Sequence, residues 1–212
     1  MVQTVAATAV TISDLESWCG IQLIEDEQFF REWLDDLPDL TESEKFLLER
    51  VKPEYLNILK YSSMLETSVK MVVLSPLLEM AGFYLPPFYI ETEPSIELEL
   101  VDGEVIIKGR IDVLVLDKTF WILVIESKRV GVSLEEGEAQ MLKYLLSNPD
   151  KQVPSYGLLT NGTNFQFMKL TQVDTPQYAF SRLFNLRNPG NDLYGVLRVL
   201  KRLAQILRNR LK

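Results

Sequence analysis

Residues 109–129 read GRIDVLVLDKTFWILVIESKR. Apolar residues dominate both sides of Asp117-Lys118-Thr119, which is short and polar enough to connect a hairpin. The stretch therefore reads as two antiparallel strands. Three charges interrupt it, Asp112, Glu126 and Lys128, where apolar side chains would be cheaper to bury. Side chains alternate along a strand, so Glu126 and Lys128 share one face, as do Lys108, Arg110 and Asp112 on the neighbouring strand. A hairpin centred near residue 118 or 119 sets Asp112 opposite 125 or 126. Two carboxylates and an ammonium then converge on one patch of sheet.

Carboxylates that close raise each other's pKa unless a cation lies between them. A hard divalent ion held by carboxylate and carbonyl oxygens resolves the conflict, which suits Mg²⁺ or Mn²⁺. Such an ion polarises a phosphoryl oxygen and acidifies bound water. A neighbouring lysine orients that water or neutralises charge on the phosphate. Glu126-Ser127-Lys128 is the only [DE]-x-K triplet in the chain. A chain this rich in acids and lysines produces such a triplet by chance, so its weight comes from its place. It ends an apolar strand and has an aspartate one hairpin back. A cross-strand ion pair of Lys128 with Asp112 or Glu126 accounts for the same residues and is the plainer alternative.

Around this hairpin the hydrophobic period changes once. Before residue 60 the chain reads as short helices, with Thr41 and Glu44 at capping-box spacing and Pro53 ending one helix and opening the next. Residues 62–83 read as a longer amphipathic helix stopped by Gly82, which Pro76 kinks or splits. From about residue 90 the pattern alternates, giving strands at 95–100, 104–116 and 120–128. Asp102-Gly103 marks the first turn, so the three form an antiparallel meander. A helix follows at 134–148, then strands at 156–160 and 165–170 around a TNG turn, then a basic helix at 192–212. The fold class is α/β, with a mixed central sheet flanked by helices. The organisation is an N-terminal helical segment (1–61), a core (62–170) and a C-terminal basic helical tail (171–212).

Composition narrows the chemistry. The 212 residues include no histidine, which removes Ser-His and Cys-His triads and imidazole zinc sites. There is no P-loop sequence and no G-x-G-x-x-G, so carboxylate, lysine and metal chemistry remains. Cys19 is the only cysteine. No apolar run is long enough for a membrane span, and no basic residue precedes Arg31, so the expected setting is the cytoplasm. The net charge of −8 is uneven: residues 1–181 sum to −15 and residues 182–212 to +7. An acidic body disfavours non-specific nucleic-acid binding, and the basic tail partly restores it.

The segments LETSVKMVVLSPLLEMAGF, GRIDVLVL, WILVIESKR, EAQMLKYL and YGLLTNGTNFQFMKL, in this order and spacing, resemble the PD-(D/E)xK nuclease superfamily. Within it they are most similar to the N-terminal nuclease domain of type I restriction motor subunits. The resemblance spans about residues 62–170 and implies a restriction-endonuclease-like core. It implies a DNA endonuclease in which Asp112, Glu126 and the carbonyl of Ser127 bind Mg²⁺ or Mn²⁺ and Lys128 is the catalytic lysine. Glu66 matches a helical glutamate that completes such sites, and Gln140 with Tyr144 matches a Q-x-x-x-Y motif near lysine and DNA. Ile111 stands where the motif's name has proline. The helicase motor is absent, so no ATP-driven step is carried over, and a homodimer is allowed.

Other readings stand beside these. Glu66 lies three residues after Ser63, as a capping-box partner would. A solvated helix residue is the alternative reading of Gln140, and core packing that of Tyr144. In the tail, Arg198, Lys201, Arg202, Arg208 and Arg210 either stay solvated on a packed helix or follow a phosphate backbone. A nuclease fold that binds or regulates without cleaving competes with the enzyme, motivated by the −15 body. A purely structural protein is the third reading.

Overall fold

The computed structural model describes residues 3–6, 9–61, 66–100, 105–117, 120–127 and 133–210. Asp102-Gly103, the 118–119 turn and Lys128 lie outside these. The elements in chain order begin with β1 (Gln3–Ala6), α1 (Ile12–Cys19), β2 (Gln22–Leu23) and α2 (Glu42–Tyr61). A continuous helical run follows: α3 (Glu66–Val69), a π-helical turn (Lys70–Leu74) and α4 (Ser75–Ala81). Next come β3 (Tyr89–Thr92), β4 (Ser95–Leu100), β5 (Val105–Arg110), β6 (Val113–Asp117), β7 (Phe120–Ser127) and α5 (Glu135–Leu146). The chain closes with β8 (Ser155–Thr160), β9 (Asn164–Thr171), β10 (Gln177–Phe180), β11 (Phe184–Asn185) and α6 (Leu193–Arg210).

The main sheet runs β2-β10-β9-β8-β7-β6-β3, with β11 on β9. It is mixed, since β7 and β8 are parallel across the α5 crossover while β6–β7 and β8–β9 are antiparallel. β8 is buried along its whole length and β6 on both faces from Val113 to Leu116, which is why these strands read as nearly unbroken apolar runs. Val113, Val115, Tyr156, Leu158, Phe165 and Phe167 pack with α2, α4 and α6 on one side. Leu114, Leu116, Leu159, Met168 and Leu170 pack with α1 and α5 on the other. Among the described residues no helix is long and apolar enough to cross a membrane.

Three expectations are corrected. Pro53 does not divide α2, which runs through it. Pro53 and Glu49, whose helical bond the proline removes, both lie on the exposed side, where water meets the lost bond. Pro76 does not break the second helix either. The π turn before it takes an extra residue, with Ser75 N–H bonded to the Lys70 carbonyl, and Pro76 falls in the first turn of α4. Gly82 stops the run as expected, at φ 82.

The third correction concerns the meander. Residues 104–116 are not one strand: β5 and β6 part at Ile111-Asp112 and enter different sheets. The smaller sheet has the order β1-β5-β4. Opposite the break, β3 and β4 part at Glu93-Pro94, with Glu93 at φ 55. Pairs Thr92↔Val113 and Ser95↔Arg110 share one register, so a single two-stranded ribbon turns a corner without slipping. Glu93 N–H to the Asp112 carbonyl (3.1 Å) and Ile111 N–H to the Pro94 carbonyl (3.0 Å) hold the corner. Alternation of apolar residues continues through such a bend and conceals it.

Candidate active site

Asp112 occupies that corner, immediately before β6. The antiparallel pair Val113↔Ile125 makes Asp112 and Glu126 the next opposed positions. A β-bulge decides this. Near the turn the pairs are Asp117↔Phe120 and Leu116↔Trp121, but Val115 pairs with Leu123, so Ile122 is the extra residue. Without the bulge Ile125, not Glu126, would stand opposite Asp112. Opposed positions in such a ladder have Cα atoms about 4.5–5.5 Å apart. On its other side β7 pairs Glu126 with Leu159 and Ser127 with Thr160, so this end of β7 lies between two strands.

The Asp112 side chain is 16% exposed, and its Oδ1 accepts a hydrogen bond from Lys70 Nζ at 2.9 Å; Lys70 is 23% exposed. Lys70 opens the π turn, one helical turn after Glu66, which begins α3. The pair borders a groove of about 370 Å³ lined by Met71, Tyr84, Thr92 and Glu93 among others. The side chains of Glu66, Glu126 and Ser127, and all of Lys128, lie outside what the structure describes. Among the described residues no group of three or more His, Cys, Asp or Glu side chains is placed to hold a metal. The residue types at the opposed positions, aspartate at 112 and glutamate at 126, offer oxygen donors only, and oxygen is the chemistry that fits Mg²⁺ or Mn²⁺.

Gln140 is not a solvated helix residue. It is 8% exposed and donates from Nε2 to Tyr144 Oη at 2.5 Å. Tyr144 Oη donates in turn to the Arg110 carbonyl at 2.6 Å. The Q-x-x-x-Y pair thus ties α5 to the strand end two residues before Asp112.

No family model and no curated protein matches this chain.

The tail cations sit elsewhere. Arg198 donates to the Leu37 and Pro38 carbonyls at 2.9 and 3.0 Å. Lys201 pairs with Glu44 at 2.6 Å and Arg202 with Asp36 at 2.9 Å. Arg198 and Arg202 clamp α6 to the segment leading into α2, Lys201 clamps it to the first turn of α2, and none lines the groove beside Asp112. A phosphate backbone would have to compete with these contacts.

The Lys201 pair has a pH signature. Burial opposes charge on Glu44, but the Lys201 ammonium and the Thr41 N–H and hydroxyl outweigh it and hold the carboxyl below its usual value. A folded-state pKa below the unfolded one adds stability above the ordinary carboxylate range and loses it as pH falls through the folded value. Thermal melts of wild type and Glu44→Gln are expected to differ most near neutral pH and to converge as the pH falls below the ordinary carboxylate range. A constant gap across that range would show that the charge is not the cause.

Two features escape sequence reading. Lys70 carried one available signal, its i,i+4 spacing from Glu66. The TNG turn is more than a turn: Gly162 (φ +81) lets the loop approach Tyr55 and Val69, which abuts Lys70 in the chain. The Asn161 side chain, accepting from Thr163 and Asn164 N–H, shapes that loop.

Proposed function

We propose that this chain is a metal-dependent DNA endonuclease domain that hydrolyses phosphodiester bonds. The observation that carries the reading is the bulge-set register that brings Asp112 level with Glu126 at the corner of the sheet. The order of helix, antiparallel strands, crossover helix and parallel strand supports the restriction-endonuclease-like core that the sequence resembles.

Asp112, Glu126 and the Ser127 carbonyl would hold Mg²⁺ or Mn²⁺. The bound ion supplies an acidified water and a Lewis acid for the phosphoryl oxygen. Lys128, which follows Ser127 in the sequence, would orient the attacking water and offset charge developing on the phosphate. Gln140 and Tyr144 fix the Asp112 corner through the Arg110 carbonyl, so the carboxylate does not have to be ordered during turnover. Glu66 stands on the helix that delivers Lys70.

The test is an assay on supercoiled plasmid and single-stranded DNA with Mg²⁺ or Mn²⁺, run beside Lys128→Ala. The expected result is metal-dependent cleavage that Lys128→Ala lowers by about 10²-fold or more. Metal-independent cleavage, or equal rates in the two proteins, would overturn the assignment.

A second reading has its own observation. Arg198, Lys201 and Arg202 are engaged within the chain, which takes these three tail cations away from DNA bound to the acidic body. That favours a nuclease-fold binding or regulatory module, and well-folded protein that neither cleaves DNA nor binds metal would establish it.

A further inference from the structure

The carboxylate assigned to a divalent ion is held by a cation of the chain's own. Lys70 Nζ lies 2.9 Å from Asp112 Oδ1, and the low exposure of both side chains, 23% and 16%, limits screening by water. An ammonium and a divalent ion compete for the same lone pairs, and their mutual repulsion at that range disfavours holding both. The mount of Lys70 is also unusual. It opens a π-helical turn, a geometry rare in proteins and concentrated at functional sites. Val69, the last residue of α3 and the one before Lys70, lies against Gly162 of the TNG loop, which fixes where the turn begins.

We propose that Lys70 is a place-holding cation. In metal-free protein it neutralises Asp112; metal entry displaces it, so the strength of the Lys70–Asp112 pair tunes metal affinity. Lys70 is thereby a positioning residue and not a catalytic one. The inference rests on the metal reading of Asp112.

The experiment measures Mn²⁺ binding to the full chain by electron paramagnetic resonance, without DNA. The proteins are wild type, Lys70→Met, Lys70→Arg and the double variant Lys70→Met/Asp112→Asn. Lys70→Met is expected to bind about tenfold more tightly, equivalent to about 1.4 kcal/mol. Lys70→Arg should stay near wild type, and the double variant should lose the gain. Mn²⁺ should also raise the melting temperature of Lys70→Met more than that of wild type. If Lys70→Met folds only when Mn²⁺ is added, that is the same displaced-cation result; failure to fold even then counts against it. Equal or weaker binding by Lys70→Met, with wild type binding normally, overturns the role of Lys70 and leaves the metal site standing. No binding by any of the proteins overturns both.

Discussion

Asp112→Asn is expected to lower metal-dependent cleavage by on the order of 10³-fold, about 4 kcal/mol of transition-state stabilisation. Asparagine keeps the shape of the side chain and one oxygen but removes the negative charge that a hard cation requires. The substitution also leaves the Lys70 ammonium, only 23% exposed, without this charged partner, so some loss of folding stability accompanies it. Two measurements separate the effects. Initial rates of plasmid nicking at saturating Mg²⁺ report the chemistry, and thermal melts report the fold. A variant that melts near wild type but no longer nicks places the loss in the site. A rate within about threefold of wild type would remove Asp112 from the mechanism, since that corresponds to less than about 1 kcal/mol.

The second large effect is structural. Gly162→Ala is expected to destabilise the protein by about 2–4 kcal/mol, combining the left-handed backbone with overpacking. At φ +81 an added Cβ would lie 2.8 Å from Tyr55 Cε2, 3.0 Å from Val69 Cγ2 and 3.1 Å from Tyr55 Oη. Tyr55 is fully buried and bound to Thr163 Oγ1 at 2.6 Å, so it has little room to retreat. For a chain of this size the corresponding fall in melting temperature is about 5–15 °C. Metal affinity should rise, because a shift of Val69 loosens the neighbouring Lys70 from Asp112, as Lys70→Met does. A melt within about 2 °C of wild type would mean that the loop yields freely.

What the sequence reveals and what it hides follow from range. The Thr41–Glu44 box, the Gly82 stop, α5 and the β8–β9 hairpin rest on local rules, and each stands close to its expected place. β1, β2, β3 and β11 are short, two to four residues each, and exist because partners elsewhere in the chain supply their hydrogen bonds. No window of alternating residues announces them. At the site, hairpin arithmetic leaves 125 and 126 equally good partners for Asp112. Only the bulge at Ile122 chooses, and apolar neighbours on both sides erase its trace. Lys70 was hidden for another reason: Asp112 is 42 residues away, and the one local signal, its i,i+4 spacing from Glu66, is shared by many solvated helix lysines.

The ribbon that turns its corner at Glu93 and Asp112 has a mechanical consequence. It is a lever with its fulcrum at the candidate carboxylate. One arm, β3 and β6, is embedded in the main sheet; the other, β4 and β5, extends into the small sheet, where β1 clips on from near the start of the chain. Whatever grips or releases that outer arm applies its torque where Asp112 meets Lys70. Force on β1 would thus reach the corner that carries Asp112.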